Sequence, residues 1–310
     1  MKHDPELTRR SHVHYATGKE KLRAHAGMVL FSLLVAGSFS VGGMIAREMD
    51  PLVASLLRFI ITTAVLAGIT IVMFRQPLGR PTRPHRFIVT GLLLAFYIIT
   101  MFIALQYTSP VSAGAVFTLM PLMSAGFAYV LMGQKTRPGV LLSLLVAAAG
   151  AVWVVFRGDV DAILSFDVGS GEILYFFGVL AHAVYAPLLR RYQGDDHPVA
   201  FGFWVNAAAT AFIFLATIPA LIDVGLAEVT LKMWLLLIYI AVMATTLTFL
   251  LMQYALLRLP SSKVVGYGYL APTTVIIMEG LLGHGWASLT VMVGALITAC
   301  ALIIMALLPD

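Results

Sequence analysis

The chain has 310 residues, of which 60% are hydrophobic and only 11% are charged, with a formal net charge of +5 and a pI near 9.4. Soluble domains are about 45–50% apolar and about 25% charged, so this composition indicates an integral membrane protein and argues against a soluble enzyme or nucleic-acid-binding domain. At about 20 residues per span, the length allows about ten spans and no sizeable soluble domain. The lone Cys300 excludes an intramolecular disulfide and a cysteine-based metal site.

The first 25 residues contain six basic residues and no apolar run, so we expect a solvated tail. A cleaved signal peptide is disfavoured because its apolar core is only about 7–15 residues long, shorter than the first run here. Backbone groups in lipid must pair within their own segment, so the apolar runs predict helices rather than barrel strands. The ten predicted spans are Ala26–Ile45, Pro51–Phe74, Phe87–Gln106, Val111–Met132, Gly139–Phe156, Gly171–Leu189, Val199–Leu221, Met233–Leu257, Val264–Leu282 and Leu289–Leu308.

Lysine and arginine residues are distributed unequally between alternate loops. On one side, six lie in the tail, four follow the second span, and three later loops hold two each. The opposite side holds only Arg47, Arg157 and Lys232, while Arg58 lies inside a span. Because cytoplasmic loops retain lysine and arginine, we expect both termini in the cytoplasm and an even number of spans. The basic pI then requires no anionic or nucleic-acid partner.

The two halves of the sequence also align with each other. Gly27–Arg47 matches Gly171–Arg191 without gaps, and Ala104–Gly133 matches Ala255–His284, which places a proline of the fourth span over one of the ninth. Two halves of five spans each must insert in opposite orientations, as in alternating-access carriers. The predicted parts are a cytoplasmic tail (1–25), a first five-helix repeat (26–156), an external linker (157–170) and a second five-helix repeat (171–308).

Several short motifs occur in a characteristic order. They are Asp50-Pro51 with Ser55-Leu56-Leu57-Arg58-Phe59, then Ala104-Leu105-Gln106-Tyr107-Thr108-Ser109-Pro110 with Pro121, and finally Tyr254-Ala255-Leu256-Leu257-Arg258-Leu259-Pro260 with Pro272. In this order the sequence resembles the drug/metabolite transporter superfamily, specifically its ten-span EamA-type members. The family often closes the fourth and ninth spans with Gly-Glu, whereas this chain has Gly133-Gln134 and Gly283-His284-Gly285. The resemblance implies an all-helical solute exporter or exchanger whose cavity is lined mainly by spans 1, 3, 4, 6, 8 and 9.

Two charged residues fall inside predicted spans, where a charge costs about 2.5–3.5 kcal/mol on insertion scales. Arg58 lies about 10 Å and Glu279 about 5 Å from the outer ends of their helices, so an ion pair between them is geometrically possible. Glu279 could exchange protons or attract a cationic group, and Arg58 could hold a carboxylate or lock an outer gate. Alternatively, Glu279 is a water-exposed interfacial acid and Arg58 a structural anchor.

Other candidates lie near the middle of the spans. His182 aligns with Ser38 and could recognise a polar substrate or move protons, or could be a satisfied buried histidine. Pro121 and Pro272 interrupt helical hydrogen bonding and could act as hinges or simply as packing kinks. Aromatic residues near these positions could wall a cavity or anchor helices at the interface; with Ser38 and His182, the cavity candidates are Phe39, Tyr97, Phe117, Tyr185, Trp204, Tyr267 and Tyr269.

We therefore predict a secondary transporter of the inner or plasma membrane that exports or exchanges a small metabolite, such as an amino acid or amphipathic compound, by alternating access. The expected partners are a small-molecule substrate, the lipid bilayer and, through Glu279, protons; we expect no cofactor or metal, and the oligomeric state stays open. One alternative is an intramembrane enzyme using His182 and Glu279, and another is a non-transporting sensor. The chain lacks a Walker phosphate loop and a His-Glu-x-x-His motif, which argues against ATP-driven pumping and zinc proteolysis.

Overall fold

The computed structural model describes residues 16–79, 81, 83–194, 196–223, 229–259 and 261–307. Within these ranges the chain forms helices and turns and contains no strand. The helices are α1 (Gly18–Glu48), α2 (Pro51–Gly68), α3 (His85–Ala104), α4 (Pro110–Phe117), α5 (Met120–Met132), α6 (Pro138–Val155), α7 (Val160–Ser165), α8 (Ser170–Gln193), α9 (Pro198–Asp223), α10 (Leu231–Ala241), α11 (Thr248–Leu256), α12 (Ser261–Gly266), α13 (Ala271–Leu281) and α14 (Leu289–Leu307).

Eight helical segments of the described ranges are long and apolar enough to cross a membrane, where the sequence predicts ten spans. They correspond to the first eight predicted spans, some of them formed by two helices in succession. The predicted ninth span is divided between α12, a 3-10 turn at Tyr267–Leu270 and α13, and the predicted tenth span falls on the apolar helix α14. The chain is therefore a multi-pass helical membrane protein.

The predicted tail and linker both contain helix in the structure. Residues 1–15 of the tail lie outside the described residues, whereas α1 already begins at Gly18, eight residues before the predicted span. The linker holds the short helix α7, whose first turn is capped by the Asp159 carboxylate accepting from the Asp161 and Ala162 amides.

The predicted fourth and ninth spans are both broken beside a proline. Pro121 is the second residue of α5 and Pro272 is the second residue of α13. Proline fits the first turn of a helix because its missing N–H has no intrahelical acceptor there. Each proline thus begins a new helix, and each break separates the span into two parts.

The eighth span contains a second kind of irregularity, a π-helical segment at Val242–Leu247 between α10 and α11. Thr245 Oγ1 donates to the Ile240 carbonyl, and Thr246 Oγ1 donates to the Ala241 carbonyl. These hydroxyl groups satisfy carbonyls where the helix is widened. Such bulges occur often at functional sites.

The two halves pack around each other with matched pairings. Helix α2 packs on α9, α4 on α13 and α6 on α14, so each of these spans contacts its own counterpart. The contact of α3 with α9 is mirrored by that of α10 with α2, and the contact of α1 with α13 by that of α8 with α4. At the α6–α14 contact, a Cβ on Gly150 would lie 2.8 Å from the Gly294 carbonyl oxygen, so the helices approach at backbone distance.

Candidate functional site

Six aromatic side chains from four helices meet in the middle of the bundle. We call them the aromatic cluster: Phe39 on α1, Tyr97 on α3, Phe117 on α4, and Tyr175, His182 and Tyr185 on α8. The first three helices belong to the first predicted repeat and α8 belongs to the second. The cluster therefore joins the two halves of the chain.

His182 lies between two tyrosine rings of the aromatic cluster. Its ring centroid is 4.3 Å from that of Tyr97 and 5.1 Å from that of Tyr185, and both pairs are stacked. Phe117 completes the surroundings at 6.3 Å. The stacking orients the imidazole without using its nitrogen atoms.

The residues of the aromatic cluster on α8 become more exposed from Tyr175 to Tyr185. Tyr175 is completely buried, whereas His182 and Tyr185 are half-buried. The Nδ1 atom of His182 is buried and has no hydrogen-bond partner in the described part of the chain. An unsatisfied polar atom between aromatic rings is what a site for a partly polar small molecule requires.

Helix α3 connects the aromatic cluster to Arg58. Tyr175 Oη donates to Tyr97 Oη on α3 at 3.0 Å, and Phe102, further along α3, has its ring centroid 5.8 Å from the Arg58 guanidinium carbon. Arg58 Nε donates to Thr245 Oγ1 at 3.0 Å. We call Arg58, Thr245, Tyr97 and Tyr175 the Arg58 site.

Arg58 is unusual because it is buried and incompletely hydrogen-bonded. Only 4% of the residue is exposed, and Nη1 is buried with no hydrogen-bond partner among the described residues. Buried charges are normally paired, because an unpaired one has lost its hydration without compensation. The Arg58 site therefore has an unused, directional donor for an anion.

Glu279 does not pair with Arg58, although the two predicted depths allowed it. The Glu279 carboxylate instead pairs with Nδ1 of His284 at 3.1 Å, at the end of α13. Its other oxygen is buried and has no hydrogen-bond partner in the described ranges. His182 contacts the aromatic cluster, so the two residues of the alternative enzyme hypothesis lie in different environments.

The other aromatic cavity candidates make no ring contact with the aromatic cluster within the described residues. Trp204 packs against Phe87 and Phe203, beside a core region that Tyr185 of the cluster also contacts. Tyr267 Oη forms a hydrogen bond with His25 Nδ1 at 2.8 Å, and Tyr269 is completely buried in the same core region. Ser38 is buried beside Phe39 on α1.

The proline breaks border the aromatic cluster. Phe117 is the last residue of α4, immediately before the turn that precedes Pro121. A Cβ on Gly268 in the 3-10 turn would lie 3.8 Å from the Phe117 ring, so the two broken spans meet at this level. A bend at either break would move the wall of the cluster.

The structure adds two site residues that sequence reasoning did not select. Tyr175 is one tyrosine among several aromatic residues in a hydrophobic span. Only the hydrogen bond of its hydroxyl group to Tyr97, on another helix, shows that it belongs to the site. Thr245 looks like a common membrane threonine, and only the π-helical segment turns it toward Arg58. The periodicity of an ordinary helix carries no signal for such a bulge.

Equivalent corners of the two repeats are packed differently, starting with the corner between α3 and α4. Gln106 Nε2 donates to the Ala46 carbonyl, and Leu105 is 1% exposed. A Cβ on Gly43 would lie 3.2 Å from Pro110 Cγ. This corner is therefore closed against the end of α1.

The corner between α11 and α12 occupies the equivalent place in the second repeat. Leu256, which aligns with Leu105, is 37% exposed, and Leu257 is 74% exposed. Arg190, which aligns with Ala46, is exposed at the end of α8.

The start of α1 nevertheless binds this second corner, because the Arg258 carbonyl accepts from the Ala16 amide and Arg258 Nε donates to Glu20 at 2.9 Å. The two corners are therefore held by opposite ends of α1.

Comparisons with known proteins agree with this architecture. The model of the EamA-like transporter family matches residues 22–156 and 169–307, which are two consecutive blocks of the chain. This chain is similar to a solved crystal structure. The superposition covers 94% of this chain and 98% of that chain, with a TM-score of 0.67 and 19% sequence identity. At that identity the likeness shows the fold alone.

Curated relatives are also similar along most of their length. An uncharacterized transporter of Bacillus subtilis (strain 168), YyaM, is 21% identical over 82% of this chain and 84% of its own length. An uncharacterized transporter of Archaeoglobus fulgidus is 25% identical over 81% of this chain and 86% of its own.

Proposed function

This chain belongs to the EamA-like transporter family, and from that premise we propose that it is a secondary transporter that exports or exchanges a small metabolite by alternating access. The observation that carries the proposal is the aromatic cluster, because it joins α1, α3 and α4 to α8 across the two halves. A substrate bound at such a junction contacts both halves, so their relative movement changes the side from which it is reached.

We propose that the membrane domain has ten spans in two inverted repeats. The eight long apolar segments then count as spans one to eight, the broken segment Ser261–Leu281 as the ninth and α14 as the tenth. Two blocks matched by one family model, and the matched pairings of helices, support the duplication. The uneven distribution of lysine and arginine supports both termini in the cytoplasm of an inner or plasma membrane.

The two corners held by α1 support alternating access. In the proposed topology the corner at Leu105 faces outward and meets the end of α1, and the corner at Arg258 faces the cytoplasm and meets its start. Alternating access then requires α1 to leave one of these corners at a time. The breaks beside Pro121 and Pro272 supply bends that such a movement requires.

We propose that the site takes an amphipathic solute. Its walls are mainly aromatic, and its polar atoms are few: the His182 imidazole and the hydroxyl groups of Tyr97, Tyr175 and Tyr185. Small-molecule sites typically combine an apolar wall with a few such groups.

We propose that Glu279 couples transport to proton movement. One carboxylate oxygen faces His284 and the other is buried without a partner, so protonation would change the packing of α13. Because α13 packs on α1 and α4, this change would alter the helix contacts at the junction of the repeats.

The test is flux in proteoliposomes after a thermal-shift screen has identified a stabilising solute. The screen covers amino acids, nucleosides, organic acids and cationic drugs. The proposal predicts saturable counterflow of the stabilising solute, recovered chemically unchanged by mass spectrometry. Conversion of the solute without movement would reject transport and favour an enzyme, and the absence of saturable flux for every solute would favour a sensor.

A further inference from the structure

The Arg58 site holds a positive charge that pairs with no acid among the described residues. Arg58 is 4% exposed, its Nε contacts a neutral hydroxyl group on Thr245, and its Nη1 contacts no acceptor in the described part of the chain. In a membrane-spanning helix such a cation is costly unless something neutralises it. The structure thus points to an anion that arrives from outside the chain.

The acids of neighbouring helices are engaged elsewhere. Glu48 pairs with Lys232, Glu172 accepts a hydrogen bond from Thr108, and Glu279 pairs with His284. Each of these contacts lies near the end of a helix rather than beside Arg58. An ammonium group at the Arg58 site would therefore meet a like charge and no carboxylate.

The hydroxyl groups of the site are arranged to favour an acceptor. Tyr175 Oη donates its hydrogen to Tyr97 Oη, so the Tyr97 hydroxyl hydrogen is available to another oxygen. A guanidinium and a phenolic donor together match a carboxylate, which accepts hydrogen bonds at both of its oxygens. A single cation balances a single negative charge, so a monocarboxylate fits better than a phosphate dianion.

The aromatic cluster continues directly from these donors. Tyr97 belongs to the Arg58 site through its hydroxyl group and to the cluster through its ring, which stacks on His182. Resting on the transporter role proposed above, we propose that the substrate is an aromatic monocarboxylate whose carboxylate binds Arg58 and whose ring packs against the aromatic cluster. A free amino group contributes nothing to this recognition.

The experiment compares four phenyl compounds that differ in charge. Binding of 3-phenylpropionate, 3-phenylpropionamide, phenylalanine and 2-phenylethylamine to the purified full-length chain is measured by isothermal titration calorimetry. The acid should bind at least about tenfold more tightly than its neutral amide, a difference of about 1.4 kcal/mol. Phenylalanine should bind more weakly than the acid, and 2-phenylethylamine should not bind detectably.

Variants of Arg58 test whether this residue causes the preference for the acid over the amide. Arg58→Gln should abolish the preference for the acid over the amide, and Arg58→Lys should keep part of it because the charge remains. Arg47→Gln is the matched control, since Arg47 is an exposed arginine at the end of α1, and it should bind as the wild type does. If Arg58→Gln fails to fold, the comparison of acid and amide on the wild type and on Arg58→Lys decides.

Three results would overturn the proposal: equal affinity of the wild type for acid and amide, no binding of the acid, or an unchanged preference in Arg58→Gln. Counterflow of the screened solutes, measured on the same protein preparation, shows whether only the proposed substrate class is wrong or the transporter role is wrong as well. Saturable flux of a cationic or neutral solute would overturn the substrate class alone. Absence of all saturable flux would overturn the transporter role as well.

Discussion

A substitution at Gly43 should open the closed corner of the first repeat. An alanine Cβ at this position would lie 3.2 Å from Pro110 Cγ, where optimal carbon–carbon contacts are about 3.5–4.0 Å. Overpacking of this kind costs about 1–3 kcal/mol. The cost applies only to the conformation in which α1 meets this corner, so Gly43→Ala should favour the outward-open conformation by about 5- to 150-fold.

The assay is the labelling of a buried cysteine from the outside. Ala46 is 1% exposed behind the same corner, so Ala46→Cys should react with a membrane-impermeant maleimide only when the corner opens. The native Cys300 is exposed and is first replaced by serine. Gly43→Ala should raise the labelling rate of this reporter in proportion to the population of the open conformation.

The matched control is Gly27→Ala on the same helix. Its Cβ would lie 3.5 Å from Leu251 Cδ2, an ordinary contact, and it shares any change in the helical preference of α1. This variant should label at the parent rate. An unchanged rate in Gly43→Ala, or the same acceleration in both variants, would refute the reasoning.

Three further predictions concern other parts of the bundle. Glu279→Gln should transport with no remaining pH dependence, and unchanged pH dependence of counterflow would exclude Glu279 as the proton carrier. His182→Ala should weaken the apparent affinity for an aromatic solute by about tenfold, whereas His182→Phe, which keeps a stacking ring, should stay within about threefold of wild type in the same uptake assay. Gly150→Ala should destabilise the α6–α14 contact by about 1–3 kcal/mol and lower the melting temperature, because its Cβ would lie 2.8 Å from the Gly294 carbonyl oxygen; Gly126→Ala, which meets no atom within 4 Å, should not.

The helical architecture is largely predictable because lipid leaves the backbone few choices. Apolar runs must become helices, and the first eight predicted spans match long apolar helical segments. The prolines also predict the helix breaks, because a proline cannot donate a hydrogen bond to the preceding turn and fits best at the start of a helix. The sequence does not predict that the ninth span divides into two helices and a 3-10 turn, because several weak preferences act together there.

The site is harder to predict because aromatic residues look alike in a hydrophobic sequence. Phe39, Tyr97 and Phe117 meet at the junction of the repeats, whereas the Trp204 ring packs against Phe87 and Tyr267 contacts His25. Which of these surroundings a ring enters depends on helix rotation and crossing, and these depend on contacts between distant segments. Depth along a helix likewise placed Arg58 and Glu279 at similar levels without showing that they face different neighbours.

The most direct test of the inverted duplication is the membrane side of two loops. Single cysteines at Arg83, before α3, and at Arg190, at the end of α8, are labelled in intact and permeabilised vesicles of known orientation. Inverted repeats of five spans predict that both positions react from the cytoplasmic face alone. Reaction of the two positions from opposite faces would contradict the inverted duplication and, with it, the proposed alternating access.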